Sequence, residues 1–292
     1  MASLIDTDGV WLVTGCSSGG LGSSIAKHVH NAGHNIVATA RNADSLQYLP
    51  DGPKILKLEL DVTSQDSIAA AIKATVKRFG RLDVLINNAG YGAMAELEGF
   101  PEDDARKQME TLFWGPMRLT RESIRVFREV NPAGQGGTIL QTIVTVEVAC
   151  ANVVASSKFA LEGLTKGVAK ELNPDWNIKL MIVSPGGVKT NFQSNFKRFP
   201  RHPAYDNDEA PLTILDKWIC DPASSSMWAD ADKCAAVLFD AVVGQKERPL
   251  PMRLNLGAEV PALMRADTNV HLKEIEDWEK ETVMVARTAD GV

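Results

Sequence analysis

The sequence lacks the features that mark several large classes of protein. Its formal net charge at pH 7 is −6 and it has no lysine- and arginine-rich run, which argues against nucleic-acid binding. The four cysteines are scattered, with no CxxC pair, and indicate neither a disulfide framework nor a metal site. They are Cys16, Cys150, Cys220 and Cys234. No apolar run approaches the ~20 residues that a membrane span needs. The N-terminus, MASLIDTDG, is unlike a signal peptide, so we expect a cytoplasmic protein with no metal and no membrane partner.

The 292 residues are 45% hydrophobic, enough to bury a full core. Short apolar segments rich in β-branched residues alternate with longer stretches of helical period. This alternation predicts an α/β protein with a Rossmann-type, doubly wound parallel sheet in three layers. The predicted strands are Val10–Thr14, Asn35–Ala40, Ile55–Leu60, Leu82–Asn87, Thr138–Val146, Ile178–Ser184 and Met252–Leu256.

The helical pattern covers Glu102–Arg128, Ala151–Leu172, Ala229–Val243 and Val270–Arg287. Between Asn191 and Ala229 the chain is rich in Pro, Asp and Ser and has little periodicity, which predicts a long loop that is either functional or disordered. No boundary divides the chain. We therefore expect one domain over residues 1–292, with a substrate-binding loop region at 187–229 and a C-terminal helical extension at 258–292.

A glycine-rich turn follows the first predicted strand and precedes a helix. It reads TGCSSGGLG over residues 14–22. Glycines let the backbone approach a pyrophosphate, and the helix N-terminus offers it N–H groups and a positive dipole end. The candidate cofactor residues in this turn are Gly15, Ser17, Ser18, Gly20 and Gly22.

Further candidates lie where other predicted strands end, the edge at which open α/β sheets bind ligands. They are Asp61 and Val62 after the third strand, Asn88, Ala89 and Gly90 after the fourth, and Pro185, Gly186, Val188 and Thr190 after the sixth.

Together these segments resemble the short-chain dehydrogenase/reductase family, with its TGxxxGxG turn, NNAG segment and adenine-side Asp. The turn here is one residue longer than the family pattern. The resemblance continues through SSKFALEG at 156–163, PGGVKT at 185–190, RLNLG at 253–257 and the acidic helix that contains Trp278. It implies a nicotinamide cofactor and assembly as a homodimer or homotetramer, with Glu162 in a helix-packing or subunit contact.

Arg41 directly follows the second predicted strand, where the adenosine ribose is bound in such folds. An acid there binds the 2′-OH of NAD, whereas an arginine accommodates the 2′-phosphate of NADP. The sequence therefore predicts NADP(H).

The resemblance also implies an Asn, a Ser, a Tyr and a Lys at the reaction centre. Here Lys158 is present, but the other three positions read Leu112, Val144 and Val154. Alternatively, the side chain of Thr142 or Thr145 takes the position of the family's serine. The three aliphatic residues predict an apolar cleft for a hydrophobic substrate, without the usual proton donor.

Three hypotheses remain open. The first is an NADPH-dependent imine or iminium reductase of secondary metabolism, since hydride addition to C=N⁺ needs no proton donor. The replacement of catalytic residues is similar in kind to that in the fungal bifunctional reductase/Diels–Alderases. The second is a non-redox isomerase or cyclase, and the third is a binding protein without catalysis. For the first, Lys158, Glu147 and Thr145 are the candidate catalytic residues, with Glu147 as counter-ion to a cationic substrate.

Overall fold

The computed structural model describes residues 8–144, 150–244 and 248–285. Seven strands form one fully parallel sheet in the order β3-β2-β1-β4-β6-β7-β9, and a two-stranded pair, β5-β8, lies apart from it. The strands are β1 Val10–Val13, β2 Asn35–Ala40, β3 Ile55–Glu59, β4 Val84–Asn87, β5 Ala93–Met94, β6 Gly137–Thr142, β7 Ile178–Pro185, β8 Lys197–Arg198 and β9 Arg253–Leu256. The predicted Rossmann-type sheet is confirmed.

Helices cover both faces of this sheet. They are α1 Leu21–Asn31, α2 Gln65–Phe79, α3 Glu102–Met109, α4 Gly115–Glu129, α5 Asn152–Glu171, α6 Pro211–Cys220, α7 Pro222–Ser226, α8 Ala231–Val243 and α9 Val260–Val283. One buried cluster joins α1 and α8 to the sheet through side chains such as Ile25 and Leu238. A second joins α2 and α4 through Ile68 and Leu119. Apolar strands buried on both sides are what a parallel sheet between helix layers requires.

The helix predicted over Glu102–Arg128 is interrupted. A π-helical turn at Glu110–Trp114 separates α3 from α4, and the N–H of Gly115 donates to the carbonyl of Glu110, five residues earlier. Pro116 explains the break because it has no N–H with which to donate to Leu112. Such turns are frequent at functional sites, and this one lies next to the edge discussed below.

Three other sequence predictions need correction. The segment Asn191–Ala229 is not irregular throughout, since it contains β8, α6 and α7, each too short to show clear periodicity. The last helix begins at Val260 and ends at Val283, so it starts ten residues before the predicted Val270–Arg287. The strand predicted over Thr138–Val146 ends at Thr142, and its residues 145 and 146 lie outside the described part.

Candidate functional site

The candidate site lies at the carboxyl edge of the sheet, where the strand order reverses between β1 and β4. A crevice opens at such a reversal because the two connections leave in opposite directions. The glycine turn follows β1, the NNAG segment follows β4, and the PGG segment follows β7.

The glycine turn packs directly on the NNAG segment. Gly15 has φ +71°, and a Cβ there would lie 2.7 Å from the Cα of Ala89. A Cβ at Gly22 would lie 2.7 Å from Asn88 Nδ2 and closer still to the carbonyl oxygen of Gly15. Asn88 Nδ2 donates to the carbonyls of Thr14 and Gly15 at 2.9 and 3.1 Å. Both glycines are thus needed for this close approach.

The glycine turn accommodates its additional residue at Gly19. Gly19 has φ +80°, whereas Gly20 has an ordinary extended backbone and lies at the N-cap of α1. The N–H of Asn191, after the PGG segment, donates to the carbonyl of Gly19 at 2.9 Å. Sequence reasoning singled out neither Gly19 nor Asn191, because the contact joins segments 172 residues apart.

The N-terminus of α1 carries no capping side chain and no acidic residue in its first turn. By contrast, Ser64 caps α2 and Asp230 caps α8. An uncapped helix start beside glycines is suited to an anion, which can accept from the first N–H groups.

Thr14 fixes the NNAG segment to the end of β1. Its hydroxyl oxygen accepts from the N–H groups of Asn88 and Ala89 at 3.0 and 2.9 Å. The next residue, Gly90, is in contact with Leu112, because a Cβ at Gly90 would lie 2.8 Å from Leu112 Cδ2. The π-helical turn therefore places Leu112 against the end of β4.

The adenosine side of the crevice is formed by loops after β1, β2 and β3. Ser45 Oγ donates to Ser17 Oγ at 3.2 Å, and Tyr48 Oη donates to the carbonyl of Cys16 at 2.8 Å. These bonds hold the β2 loop against the glycine turn. Burial raises the pKa of the Cys16 thiol to about 12, so this cysteine is a structural residue.

Arg41 is exposed at the end of β2 and makes no ion pair with any residue in the described ranges. Asp61 and Val62 follow β3. The Asp61 carboxylate accepts from the N–H and the hydroxyl of Thr63, and Val62 is buried against Gly115 at the start of α4. The guanidinium of Arg41 is thus available to an anionic ligand.

The PGG segment runs from β7 toward the glycine turn. The N–H of Gly186 donates to Leu256 in β9 at 2.7 Å, and Val188 forms a bridge with Ala229. Thr190 Oγ1 accepts from the N–H of Phe192 at 3.2 Å. The structure thereby brings Pro185, Gly186, Val188 and Thr190 to the same edge as the glycine turn.

Lys158 lies on α5 and is nearly fully buried. Its Nζ donates to the carbonyl of Thr142, the last residue of β6, at 2.6 Å. Burial lowers the pKa of Lys158 to about 8. Burying the Lys158 ammonium without a carboxylate partner among the described residues costs free energy, unless a bound ligand also accepts a hydrogen bond from it.

The positions around Lys158 are apolar. Val154, one turn earlier on α5, is buried with 8% of its surface exposed. Val144 follows β6 and is half-buried. Ser157 offers no free replacement, because its hydroxyl donates to the carbonyl of Val153 at 2.6 Å. Thr145 and Glu147 lie outside the described residues, so their assignment stays a prediction from the sequence.

The region after Thr190 contacts the segments that follow β1 and β4, and it is held by an ion pair whose carboxylate is buried. Arg201 Nε donates to Glu96 Oε1 at 2.8 Å, and Glu96 is 4% exposed. Burial by itself raises the pKa of Glu96, but backbone N–H groups and Arg201 outweigh it and hold the pKa below its usual range. Arg201 also donates to Thr213 and to the carbonyl of Tyr205, which organises the segment around it.

Glu162 pairs within its own chain. It accepts from Arg253 of β9 and from Lys166, and Arg253 donates to Ser184 Oγ at 2.7 Å. This network ties α5 to β7 and β9. Glu162 is therefore a packing residue in the described structure.

The described ranges contain neither a membrane-spanning helix nor a metal-binding cluster. No helix there is long and apolar enough to span a bilayer. No group of three or more His, Cys, Asp or Glu side chains in those ranges is arranged to hold a metal ion.

Comparison with known proteins gives consistent matches. The short chain dehydrogenase family model matches residues 9–200. The chain is 38% identical to the oxidoreductase calM of Penicillium decumbens, over 93% of this chain and 91% of that protein. It is 36% identical to an uncharacterised oxidoreductase of Schizosaccharomyces pombe, over 87% and 84%. A crystal structure of a short-chain dehydrogenase from Streptomyces avermitilis is 29% identical, with a TM-score of 0.83 and coverage of 96% and 99%.

Proposed function

Because this chain belongs to the short-chain dehydrogenase family, we propose that it is an NADPH-dependent reductase whose substrate carries a C=N⁺ bond. The observation that carries the proposal is the contrast between two halves of one crevice. In the nucleotide half, the glycines allow a close backbone approach, the start of α1 has no capping side chain, and Arg41 makes no ion pair with a described residue. In the reaction half, aliphatic residues lie where a proton donor is expected.

The residues of the nucleotide half fit NADPH. Gly15 and Gly22 leave no room for a Cβ, and α1 has no capping side chain, so a pyrophosphate would accept from the turn and the first N–H groups of α1. Arg41 would pair with the 2′-phosphate beside the hydroxyls of Ser17 and Ser45. Lys158 Nζ, fixed by Thr142, would hold the nicotinamide ribose.

The reaction follows from the missing proton donor. When bound, NADPH would supply a hydride and become NADP⁺. Reduction of a ketone to an alcohol consumes this hydride and one proton, and a missing general acid typically costs ~10²–10⁴ in rate. Reduction of an iminium, R₂C=N⁺R₂ + NADPH → R₂CH–NR₂ + NADP⁺, balances with the hydride alone. A crevice bordered by Leu112, Val144 and Val154 suits this second reaction.

The substrate would be a hydrophobic cation. The aliphatic side chains favour an apolar body, and in apolar surroundings a charge interaction is stronger than in water. Glu147 is our proposed counter-ion, an assignment that rests on its sequence position after Val144.

The test uses a matched pair of substrates. A cyclic N-alkyl iminium and the isosteric cyclic ketone are incubated with NADPH deuterated at C4, and deuterium in the product is measured by mass spectrometry. We expect transfer to the iminium and at least ~10²-fold slower transfer to the ketone. Equal rates would show that another side chain donates the proton.

If no deuterium reached the product of any iminium or of the natural substrate, the reductase proposal would fail. Conversion of a substrate at the same rate with and without NADPH would then favour the cyclase hypothesis. Binding of NADPH without any conversion would favour the non-catalytic one.

A further inference from the structure

The two glycines of the PGG segment are enclosed by side chains from distant parts of the chain. A Cβ at Gly186 would overlap the carboxylate of Glu259, which lies at the start of α9. A Cβ at Gly187 would lie 2.5 Å from Cδ1 of Trp228, which follows α7. The sequence predicted neither Glu259 nor Trp228 as a site residue, yet their positions explain why both residues after Pro185 are glycine.

The carboxylate of Glu259 binds the PGG segment and not its own helix. Glu259 is the N-cap residue of α9, but its side chain accepts no hydrogen bond from the first turn of that helix. Oε1 accepts instead from the N–H of Gly187 at 2.9 Å. Gly257 has φ +130°, and a Cβ there would lie 3.0 Å from Glu259 Oε2. The turn after β9 therefore brings this carboxylate to the backbone that follows β7.

The PGG segment also pairs with Ala229. The N–H of Ala229 donates to the carbonyl of Gly187 at 2.8 Å, and the N–H of Lys189 donates to the carbonyl of Ala229 at 2.9 Å. In an extended segment, the residue between two such bonds directs its own N–H and carbonyl away from the partner. That residue is Val188, on which the bridge with Ala229 is centred.

The N–H of Val188 has no acceptor within the described ranges, although the N–H groups on either side of it are paired. Val188 is buried, and a buried N–H without a partner costs free energy. β7 lies beside β6, whose last residue, Thr142, accepts from Lys158 at the reaction half of the crevice. An acceptor on the nicotinamide half of the cofactor would satisfy this N–H.

We propose that Glu259 is a positioning residue for the nicotinamide half of NADP(H). By accepting from Gly187, its carboxylate holds the residue directly before the Val188 N–H, so that this donor is already oriented when the cofactor binds. Glycine has the largest backbone freedom of any residue, so without Glu259 this part of the segment would have to be ordered during binding. The inference rests on the nucleotide site proposed above and is independent of the C=N⁺ substrate.

The experiment compares two ligands that share the adenosine half. NADPH carries the nicotinamide, whereas adenosine 2′,5′-bisphosphate lacks it, and both are titrated by calorimetry against the full-length protein. Glu259→Met removes the acceptor, and Glu259→Asp keeps the charge but shortens the side chain by one methylene. We expect both variants to bind NADPH about tenfold more weakly and to bind adenosine 2′,5′-bisphosphate as the wild type does. General damage to the fold would weaken the binding of both ligands.

Glu259→Gln keeps an oxygen acceptor at the same reach without the charge, so it should bind NADPH as the wild type does. Glu276→Met, at an exposed glutamate of the same helix, is the matched control. The Asp and Gln variants decide the question even if Glu259→Met does not fold. Wild-type affinity for NADPH in Glu259→Asp, an equal loss in Glu259→Gln, or a parallel loss of affinity for adenosine 2′,5′-bisphosphate would each overturn the inference. Failure of the wild type to bind either ligand would instead overturn the nucleotide site itself, and the inference with it.

Discussion

Arg41 is the residue that sets the expected choice between the two nicotinamide cofactors. Its guanidinium is exposed at the end of β2, next to the loop in which Ser45 contacts Ser17. A charge-assisted hydrogen bond contributes ~1.5–3 kcal/mol, so Arg41→Ala should reduce the preference for NADPH over NADH about tenfold or more. Titration of both cofactors by protein fluorescence measures this. Equal wild-type affinities for NADPH and NADH would contradict the assignment.

Val154 occupies the position at which the family resemblance implies a tyrosine. We expect Val154→Tyr alone to remain a poor ketone reductase, because Val144 and Leu112 still give no support to the oxyanion or the proton relay. Residues that act as one catalytic unit are strongly non-additive, so one restored member returns little. Steady-state ketone reduction is the measurement, with Val154→Phe as the control for size. Efficient reduction by the single variant would show that the segment after β6 supplies a hidden partner.

Lys158 makes folding stability depend on pH. Its pKa is about 8 in the folded protein and 10.5 in its ordinary state, because burial disfavours the ammonium. Between these values the unfolded chain binds more protons, so the free energy of unfolding rises with pH, by at most ~1.4 kcal/mol per pH unit. Below about pH 8 the ammonium is present in both states, and its full burial cost remains.

The Lys158→Met variant should lose this slope. Denaturant unfolding of both proteins between pH 7 and pH 10.5 isolates the effect, since the other titrating groups are common to both. The variant is expected to be relatively more stable at the lower end of the range. Parallel curves would mean that Lys158 is not desolvated without cofactor.

At the scale of elements, the segment after β7 depends on the pair Glu96–Arg201 for its position. Arg201→Met would leave the Glu96 carboxylate buried without a cation, and breaking a buried pair in this way typically costs ~3–5 kcal/mol. We expect the segment 191–229 to detach while the sheet stays folded. Limited proteolysis should then cut within it much faster.

Arg198→Met is the matched control for this experiment. Arg198 lies in the same segment and pairs with Asp216 at 3.0 Å, but that pair is accessible to solvent, and such pairs contribute ~0–1 kcal/mol. Cleavage should remain at the wild-type rate in this variant. Equal cleavage of both variants would show that Arg201 has no special part in anchoring the segment.

At the scale of the whole molecule, the sequence predicted those strands and helices that depend on a local pattern of apolar residues. The strand Asn35–Ala40 was predicted to the residue, because continuous apolar segments mark buried parallel strands. The break in Glu102–Arg128 was missed even though Pro116 is visible in the sequence, since helical period continues on both sides of it. The early start of α9 was missed because Val260–Asn269 lacks a clear apolar period.

The candidate site was predictable only where one segment carries the signal. The glycines and NNAG lie in short motifs that can be read locally. Gly19–Asn191 and Glu96–Arg201 could not be found in this way, because each pair joins residues more than 100 positions apart. Such contacts depend on how the segment after β7 folds back over the sheet, which no local periodicity records.

The hydrogen bond from Asn191 to Gly19 bears on the order in which the ligands bind. It joins the start of the segment after the PGG motif to the glycine turn after β1. A nucleotide bound at this turn would therefore also hold the start of the segment that contains Arg201, before any substrate binds. We expect an ordered mechanism in which NADPH binds first and NADP⁺ dissociates last, so that NADP⁺ inhibits competitively against NADPH and the second product does not. One backbone hydrogen bond would thus couple cofactor binding to the order in which substrate binds and products dissociate.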